Sequence, residues 1–335
     1  MKTDPKIDFV VTWVDGNDPA WQAEKARYSP DTQRADNAAI RYREWNLLRY
    51  WFRAVETYAP WVGTVHFVTW GHVPAWLNTD CPRLHIVRHE DYIPEQYLPT
   101  FSSHPIELNM HRIPGLSEQF VYFNDDFYLT APVQPEDFFV DGLPCDSLEE
   151  TPLDLSWRTI MNYINANDIL YINEHFVKTD CRKENRSKWF SLADPFVAAK
   201  NGMFSLLGRK RFFGLNYHHL PQAFRKETFE AAWEQGNGWL DETCRRKFRD
   251  YRDISPHVFQ FWQLASGAFH PYSKRRFGIY FPGGTDPEKA AAVIRGKTVK
   301  CMCYNDSDKV DFRSAQKILQ EAFESVLPEK SAFER

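Results

Sequence analysis

FVYFNDDFYL, residues 120–129, decides how this chain is read. An apolar run ends abruptly at Asn124, Asp125 and Asp126, and an apolar run resumes at once. Burying unpaired charge is costly, so these three residues call for a solvent-facing turn, a hydrogen-bond network or a bound cation. A plain surface turn is the simplest reading, because Asn and Asp favour turns. The surrounding chain has to decide between them.

IDFVVTW, 7–13, is apolar and β-branched enough for a buried strand and ends in the turn-forming cluster VDGNDP. From 44 to 58 the spacing becomes helical: Leu47, Trp51, Ala54 or Val55, and Tyr58 share one face, and Pro60 closes the helix. TVHFVTWG, 64–71, predicts a second strand, HVPAWL a short helix, LHIVRHED, 84–91, a third strand, and FVYFNDD a fourth. Strands alternating with helices predict an α/β fold with an open, mostly parallel sheet. VDGND, RHED and YFNDD all stand at strand ends, where open α/β sheets bind ligands. Independent surface loops have no reason to share that placement.

The remainder reads as helical insertions. Residues 141–185 are less regular and are expected to form an insertion or subdomain in which YINANDILYINEHF is helix or strand. Ala223 to Trp233 predicts a helix, 245–270 another, GKTVKCMCYNDSD a short strand, and 311–327 a C-terminal amphipathic helix. No repeat or linker divides 1–335, so a single catalytic domain is expected.

Composition narrows the function. Of 335 residues, 43% are hydrophobic and 26% charged, as in ordinary folded proteins. The 16% aromatic content, with 12 Trp, suits either a sugar-binding cleft or a large core. A formal net charge of −4 without a long basic block argues against nucleic acid as a partner. No stretch reaches the roughly 20 apolar residues of a membrane span, and MKTDPKIDFVVTWVDG lacks the pattern of an export signal. A cytoplasmic enzyme is expected, compatible with peripheral association to a membrane-bound assembly at the inner face. The six cysteines are too scattered for a disulfide framework.

Several residues could carry chemistry. Asp15, before Gly16, is either an Asx-turn or a carboxylate that contacts a donor, a nucleophile or a cation. Arg41 and Arg43 precede the apolar helix, where they could meet phosphate oxygens. If Pro105 starts a helix, Glu107 and His111 lie one turn apart, as an oriented imidazole or an ordinary surface pair. Asn124, Asp125 and Asp126 offer oxygen donors suited to Mg²⁺ or Mn²⁺. His219 in NYHHLPQAFR could take a hydroxyl proton while Arg225 holds a phosphoryl oxygen. Arg249, Asn305 and Asp306 are weaker singly.

In combination these motifs resemble the Stealth family, whose bacterial members are capsular-polysaccharide phosphotransferases and whose animal relatives include the catalytic part of the lysosomal-enzyme N-acetylglucosamine-1-phosphotransferase. FVVTWVDGNDPAW is similar to the first conserved region. RYREWNLLRYWFRAVETYAPWVGTVHFVTWGHVPAWL and LPTFSSHPIELNMHRIPGLSEQFVYFNDDFYLTAPVQPEDFF are similar to the second, HHLPQAFRKETFE to the third and CMCYNDSD to the fourth. Trp45, and HHLPQAFR in place of HTPYPMRR, depart from the usual pattern.

The resemblance implies a core like that of the nucleotide-diphospho-sugar transferases. It also implies transfer of a hexose-1-phosphate from a nucleotide sugar to a glycan hydroxyl, with UMP released from a UDP donor. By motif, His219, Asp15 and Arg225 become the catalytic candidates. Arg41, Arg43, His104, Glu107, His111, Asn124, Arg249 and Asn305 become donor-binding candidates, and Asp125, Asp126 and Asp306 the ligands of Mg²⁺ or Mn²⁺. The partners implied are a nucleotide-sugar donor and an oligosaccharide or polysaccharide acceptor. A metal-dependent glycosyltransferase releasing UDP is the alternative with the same parts, and a noncatalytic carbohydrate-binding or capsule-scaffold protein is the alternative without chemistry.

Overall fold

The computed structural model describes residues 6–29, 43–154, 156–206, 210–236 and 238–335. Its strands are β1 (Ile7–Thr12), β2 (Val65–Thr69), β3 (Leu84–Arg88), β4 (Gln119–Phe123), β5 (Phe127–Leu129), β6 (Phe139–Val140), β7 (Leu143–Asp146), β8 (Gln222–Arg225), β9 (His270–Pro271), β10 (Gly278–Phe281) and β11 (Cys301–Tyr304). The main sheet has five strands in the order β3-β2-β1-β4-β8. The first four run parallel, and β8 is antiparallel at the edge. The sheet is therefore mixed, but parallel at its centre.

The unbroken apolar runs follow from this placement. Phe9, Val11, Val121 and Phe123 enter one core cluster, while Val10, Phe120 and Tyr122 enter the other. Successive side chains on a strand point to opposite faces, and both faces are covered by protein. One polar residue inside the sheet is fully matched. Buried Asp8 accepts hydrogen bonds from the amides of Thr64 (2.7 Å) and Ser117 (2.9 Å) and lies 3.3 Å from His66 Nε2. Burial alone would raise its pKa, but these bonds outweigh it and hold the carboxylate well below the ordinary range.

The helix at 48–58 buries Leu48, Trp51, Phe52, Val55 and Tyr58 as its spacing predicts. It starts at Leu48 rather than 44, because Glu44 accepts the Asn46 amide (2.6 Å) and Asn46 turns at φ 53°. Arg53 on the same helix is buried and ties down the C-terminal tail through Glu334 (2.8 Å) and the Leu327 carbonyl (2.8 Å).

Three other expectations change. HVPAWL is a turn, closed by Leu77 N–H to the Pro74 carbonyl, and its end bridges to Glu334. Ala223–Arg225 belongs to strand β8, and the helix begins only at Lys226 and runs to Gln235. Within 245–270 the helix is confined to His257–Ser266. YINANDILYINEHF resolves as helix from Tyr163 to His175, in Ile160–His175, with Phe176 as its C-cap. The C-terminal strand and amphipathic helix form at Cys301–Tyr304 and Phe312–Val326.

A three-stranded sheet, β10-β11-β5, stands beside the main one. Its register pairs Cys303 with Phe127, and Tyr304 N–H donates to the Asp126 carbonyl (3.2 Å). That pairing brings the end of β11 to the acidic turn, across about half the chain.

Candidate active site

Strand order reverses at β1: the chain builds outward to β2 and β3 on one side, then returns to place β4 on the other. Such a switch point leaves a crevice at the carboxyl ends of the two central strands. Here Thr12–Val14 leave β1, Asn124–Asp126 leave β4, and a cavity of about 690 Å³ opens between them.

The acidic turn is a true β-turn, with Phe127 N–H bonded to the Asn124 carbonyl (3.1 Å) and Tyr128 hydroxyl to the Asp125 carbonyl (2.9 Å). Asp125 opens to the cavity and Asp126 is partly buried. The cavity wall desolvates both carboxyls and raises their proton affinity, and repulsion from Asp126 and Glu44 pushes Asp125 up further. Asp126 Oδ2 lies 4.0 Å from His219 Nε2 and accepts from Cys303 Sγ at 3.3 Å. Ligand atoms of these three residues lie within 4.8 Å of one another, a group able to hold a metal ion. Burial lowers the pKa of His219, with Asp126 opposing.

A second group stands behind the turn. Helix Ser103–Leu108, capped by Ser102, carries His104 and Glu107 into the wall. The Tyr122 hydroxyl donates to Glu107 Oε1 (2.8 Å), lies against the Asn124 side-chain oxygen, and is 3.2 Å from Thr12 Oγ1. Burial pushes the Glu107 carboxyl up to about 7, against the Tyr122 bond and the Arg249 charge. Arg249 donates to Ser103 Oγ at 3.0 Å. His104 Nδ1 lies 3.6 Å from Asp253.

On the opposite side, Arg43 pairs with Asp306 (3.5 Å) and Asp308 (2.8 Å) and lies over the Phe312 ring. Burial raises the Asp306 pKa, with Arg43 opposing. Asn305 donates to the Tyr280 hydroxyl at 2.7 Å, and the Tyr280 and Phe127 rings both meet His219 edge-on. Trp45, the residue out of pattern, packs on Tyr304 and Phe312 in the same wall.

Arg43, His104, Glu107, Asn124, Asp125, Asp126, His219, Arg249, Asn305 and Asp306 thus line one cavity. Three expected residues do not. The Asp15 carboxylate accepts the Asn17 amide (2.9 Å), an Asx-turn outside the lining. His111 does not meet Glu107, because the helix stops at Leu108; its ring packs on Phe229 and Trp233. Arg225 pairs in register with Gln119, at the far end of β4, and ion-pairs with Glu227 (2.6 Å). Arg41 lies outside the described residues. Of the RHED cluster, only His89 reaches the cavity.

Tyr122, Glu44, Cys303 and His257 also line or buttress the cavity, and the sequence did not single them out. His257 stacks on Tyr217 at 3.8 Å and is held well below its ordinary pKa by burial. Tyr122 left one signal, a hydroxyl inside an otherwise apolar strand that needs a partner.

Comparison with known proteins shows the family. Residues 5–33 match "Stealth protein CR1, conserved region 1" and residues 41–145 match "Stealth protein CR2, conserved region 2". The chain is 38% identical to a capsular polysaccharide phosphotransferase WcwK of Streptococcus pneumoniae over 98% of its own length and 99% of the relative's. It is 39% identical to the receptor polysaccharide phosphotransferase WefC of Streptococcus oralis over the same shares. Identity is 36% to the exopolysaccharide phosphotransferase cps2G of Lactiplantibacillus plantarum, over 98% and 96% of the two chains. With the first two conserved regions matched and such relatives aligned end to end, the chain belongs to the Stealth family.

Proposed function

We propose that this chain transfers a sugar-1-phosphate, N-acetylglucosamine-1-phosphate in the first instance, from a UDP sugar to a glycan hydroxyl. The product is a phosphodiester in a capsular or cell-surface polysaccharide, and UMP leaves. The observation that carries this reading is the convergence of two carboxylates, a histidine and two arginines at the sheet's switch point, in a chain similar end to end to named polysaccharide phosphotransferases. A core of nucleotide-diphospho-sugar transferase type is part of the reading.

In the proposed reaction the acceptor oxygen attacks the sugar-linked phosphorus, and the bond from that phosphorus to the bridging oxygen breaks. UMP carries away the bridging oxygen with its electron pair. His219 takes the acceptor proton; its lowered pKa leaves the imidazole neutral and able to accept near pH 7. Arg43 and Arg249 stabilise nonbridging oxygens as charge shifts toward the leaving phosphate. Tyr122 fixes the Glu107 and Asn124 side chains that shape the wall behind the turn.

A divalent cation fits the donors present. Asp126 Oδ1 and Asp306 Oδ2 are buried without a hydrogen-bond partner among the described residues, so oxygen ligands are left over. Burial and the adjacent Asp126 raise the Cys303 pKa well above its ordinary value, which keeps it a thiol that donates to Asp126 rather than a thiolate ligand. The remaining oxygen donors are the carboxylates of Asp125, Asp126 and Asp306, a chemistry that suits Mg²⁺ or Mn²⁺. Of these three, among the described residues, only Asp126 belongs to the group whose ligand atoms lie within 4.8 Å of one another. Such an ion, when bound, neutralises diphosphate charge as the bridge opens. We place the work in the cytoplasm, where nucleotide sugars are made; among the described residues no helix is long and apolar enough to cross a membrane.

The test is product analysis with purified protein, Mg²⁺ or Mn²⁺, a panel of nucleotide sugars and short capsule oligosaccharides. Release of UMP supports the proposal and identifies the donor. Release of UDP, with a phosphorus-free glycan, replaces it with glycosyl transfer.

A further inference from the structure

The helix Pro195–Ser205 is fastened to the protein by one face only. Val197 and Asn201 are buried. The Asn201 amide nitrogen donates to the carbonyls of Leu148 (2.8 Å) and Trp189 (2.9 Å), and its oxygen accepts from Glu150 N–H (3.0 Å). The other face presents large apolar side chains to solvent. Leu192 is 82% exposed, Phe196 58%, Met203 61% and Leu206 87%. Phe196 and Met203 stand two turns apart on one stripe of the helix, and exposed Leu192 lies in the turn before it and exposed Leu206 at its cap. A soluble monomer rarely lines up so much exposed apolar surface without a partner for it.

The surroundings state the partner's charge. The Arg275 guanidinium lies 4.1 Å from the Phe196 ring, and Arg182 donates to the Ser205 carbonyl at 3.3 Å. Lys210 and Arg211 follow, both exposed. Segment 182–211 carries eight Lys or Arg against two Asp or Glu, in a chain whose formal net charge is −4. A second copy of this chain would set one positive patch against another, which like-charge repulsion opposes. A helix of 11 residues is about 16 Å long, far short of the roughly 30 Å of a bilayer core.

We propose that this face seats on an anionic bilayer surface, with Leu192, Phe196, Met203 and Leu206 below the headgroups and the basic rim on lipid phosphates. Seating there would hold the cavity at the membrane. Lys200 on this helix pairs with Glu149 (2.5 Å), and Glu149 lies 3.6 Å from His218, which lines the cavity beside His219.

The test is sedimentation of the full chain with vesicles of phosphatidylcholine alone or with phosphatidylglycerol added. The wild type should pellet with the anionic vesicles and be released by salt. Phe196→Asp with Met203→Asp should lower the bound fraction about tenfold while leaving turnover of a soluble acceptor unchanged. Arg275→Glu with Lys210→Glu, which keeps the apolar stripe, should also release the protein and serves if the first variant misfolds. Absence of vesicle binding by the wild type, or equal binding by wild type and variants, overturns the proposal. A concentration-dependent dimer lost in the Phe196→Asp, Met203→Asp protein, without vesicle binding, overturns it in favour of self-association.

Discussion

His219 Nε2 stands 4.0 Å from Asp126 Oδ2, linking the loop before β8 to the turn after β4. On the proposed mechanism the imidazole takes a proton there while the carboxylate serves the cation. His219→Gln should therefore lower kcat by about 10²–10⁴-fold with little change in donor KM. Because burial lowers the His219 pKa from 6.5, the neutral base persists below that pH. The wild-type rate should stay level from pH 8 through 6.5 and fall only in more acidic solution, and the variant should lose that acidic limb. A fall centred above pH 7 would contradict the assignment.

Asp126→Asn should cost about 10²–10³-fold in turnover if the carboxylate supports a cation beside the diphosphate. Its metal readout is independent of activity: Mn²⁺ titration followed by electron paramagnetic resonance should show weaker binding than in the wild type. Unchanged Mn²⁺ affinity in Asp126→Asn and in Asp306→Asn would remove these residues from the cation site.

Arg43 counters Asp306 and Asp308 at the edge of the cavity. Arg43→Ala should raise the KM for the nucleotide sugar about tenfold, the scale of one charge-assisted phosphate contact. Equilibrium binding of UDP, measured calorimetrically, should weaken in parallel. An unaltered UDP affinity would place the diphosphate elsewhere.

The central strands were legible in the sequence because both faces of the sheet are buried there, so β1, β2 and β4 appear as largely apolar runs, while the edge strand β3 is only half-buried. Of their polar ends, the one after β4 located the cavity, because Asn124, Asp125 and Asp126 have no place inside the sheet and line it. Asp15 after β1, and Arg88, Glu90 and Asp91 around the end of β3, lie outside the lining. Residues that depend on three-dimensional closure were less legible. Arg225 sits six residues from His219, yet β8 runs antiparallel and carries it to the far end of the sheet. His111 reads as a helical partner of Glu107 until Asn109 ends the helix. Cys303 acquires its contact with Asp126 only through the β5–β11 pairing, which no local pattern encodes.

Glu107 gives a stability test of the wall. Its carboxyl rises from 4.5 to about 7, so the folded protein holds this proton more tightly than the unfolded chain. The contribution to stability is present in acid, declines as pH rises past 4.5, and is gone above about 7, a loss on the order of 3 kcal/mol. Glu107→Gln should flatten that part of the pH profile in urea unfolding. A variant profile parallel to the wild type would show that Glu107 is ionised and paired in the folded protein.

Asp8 should behave in the opposite sense. Its carboxylate is held below the ordinary range, so its stabilisation is present above pH 4 and disappears as pH falls through the acid range. Asp8→Asn should lower stability at pH 7 by about 3 kcal/mol, because the matched buried carboxylate is lost, and should reduce the acid sensitivity that remains. Equal urea midpoints at pH 7 would contradict this.

The central claim concerns which bond breaks, and one isotope experiment reads it directly. The donor is a UDP sugar carrying phosphorus-32 at the sugar-linked phosphate, incubated with protein, Mg²⁺ and an oligosaccharide acceptor. Phosphoryl transfer predicts label in the glycan, resistant to phosphatase as a phosphodiester, and unlabelled UMP in solution. Label found in released UDP, with none in the glycan, would contradict the account.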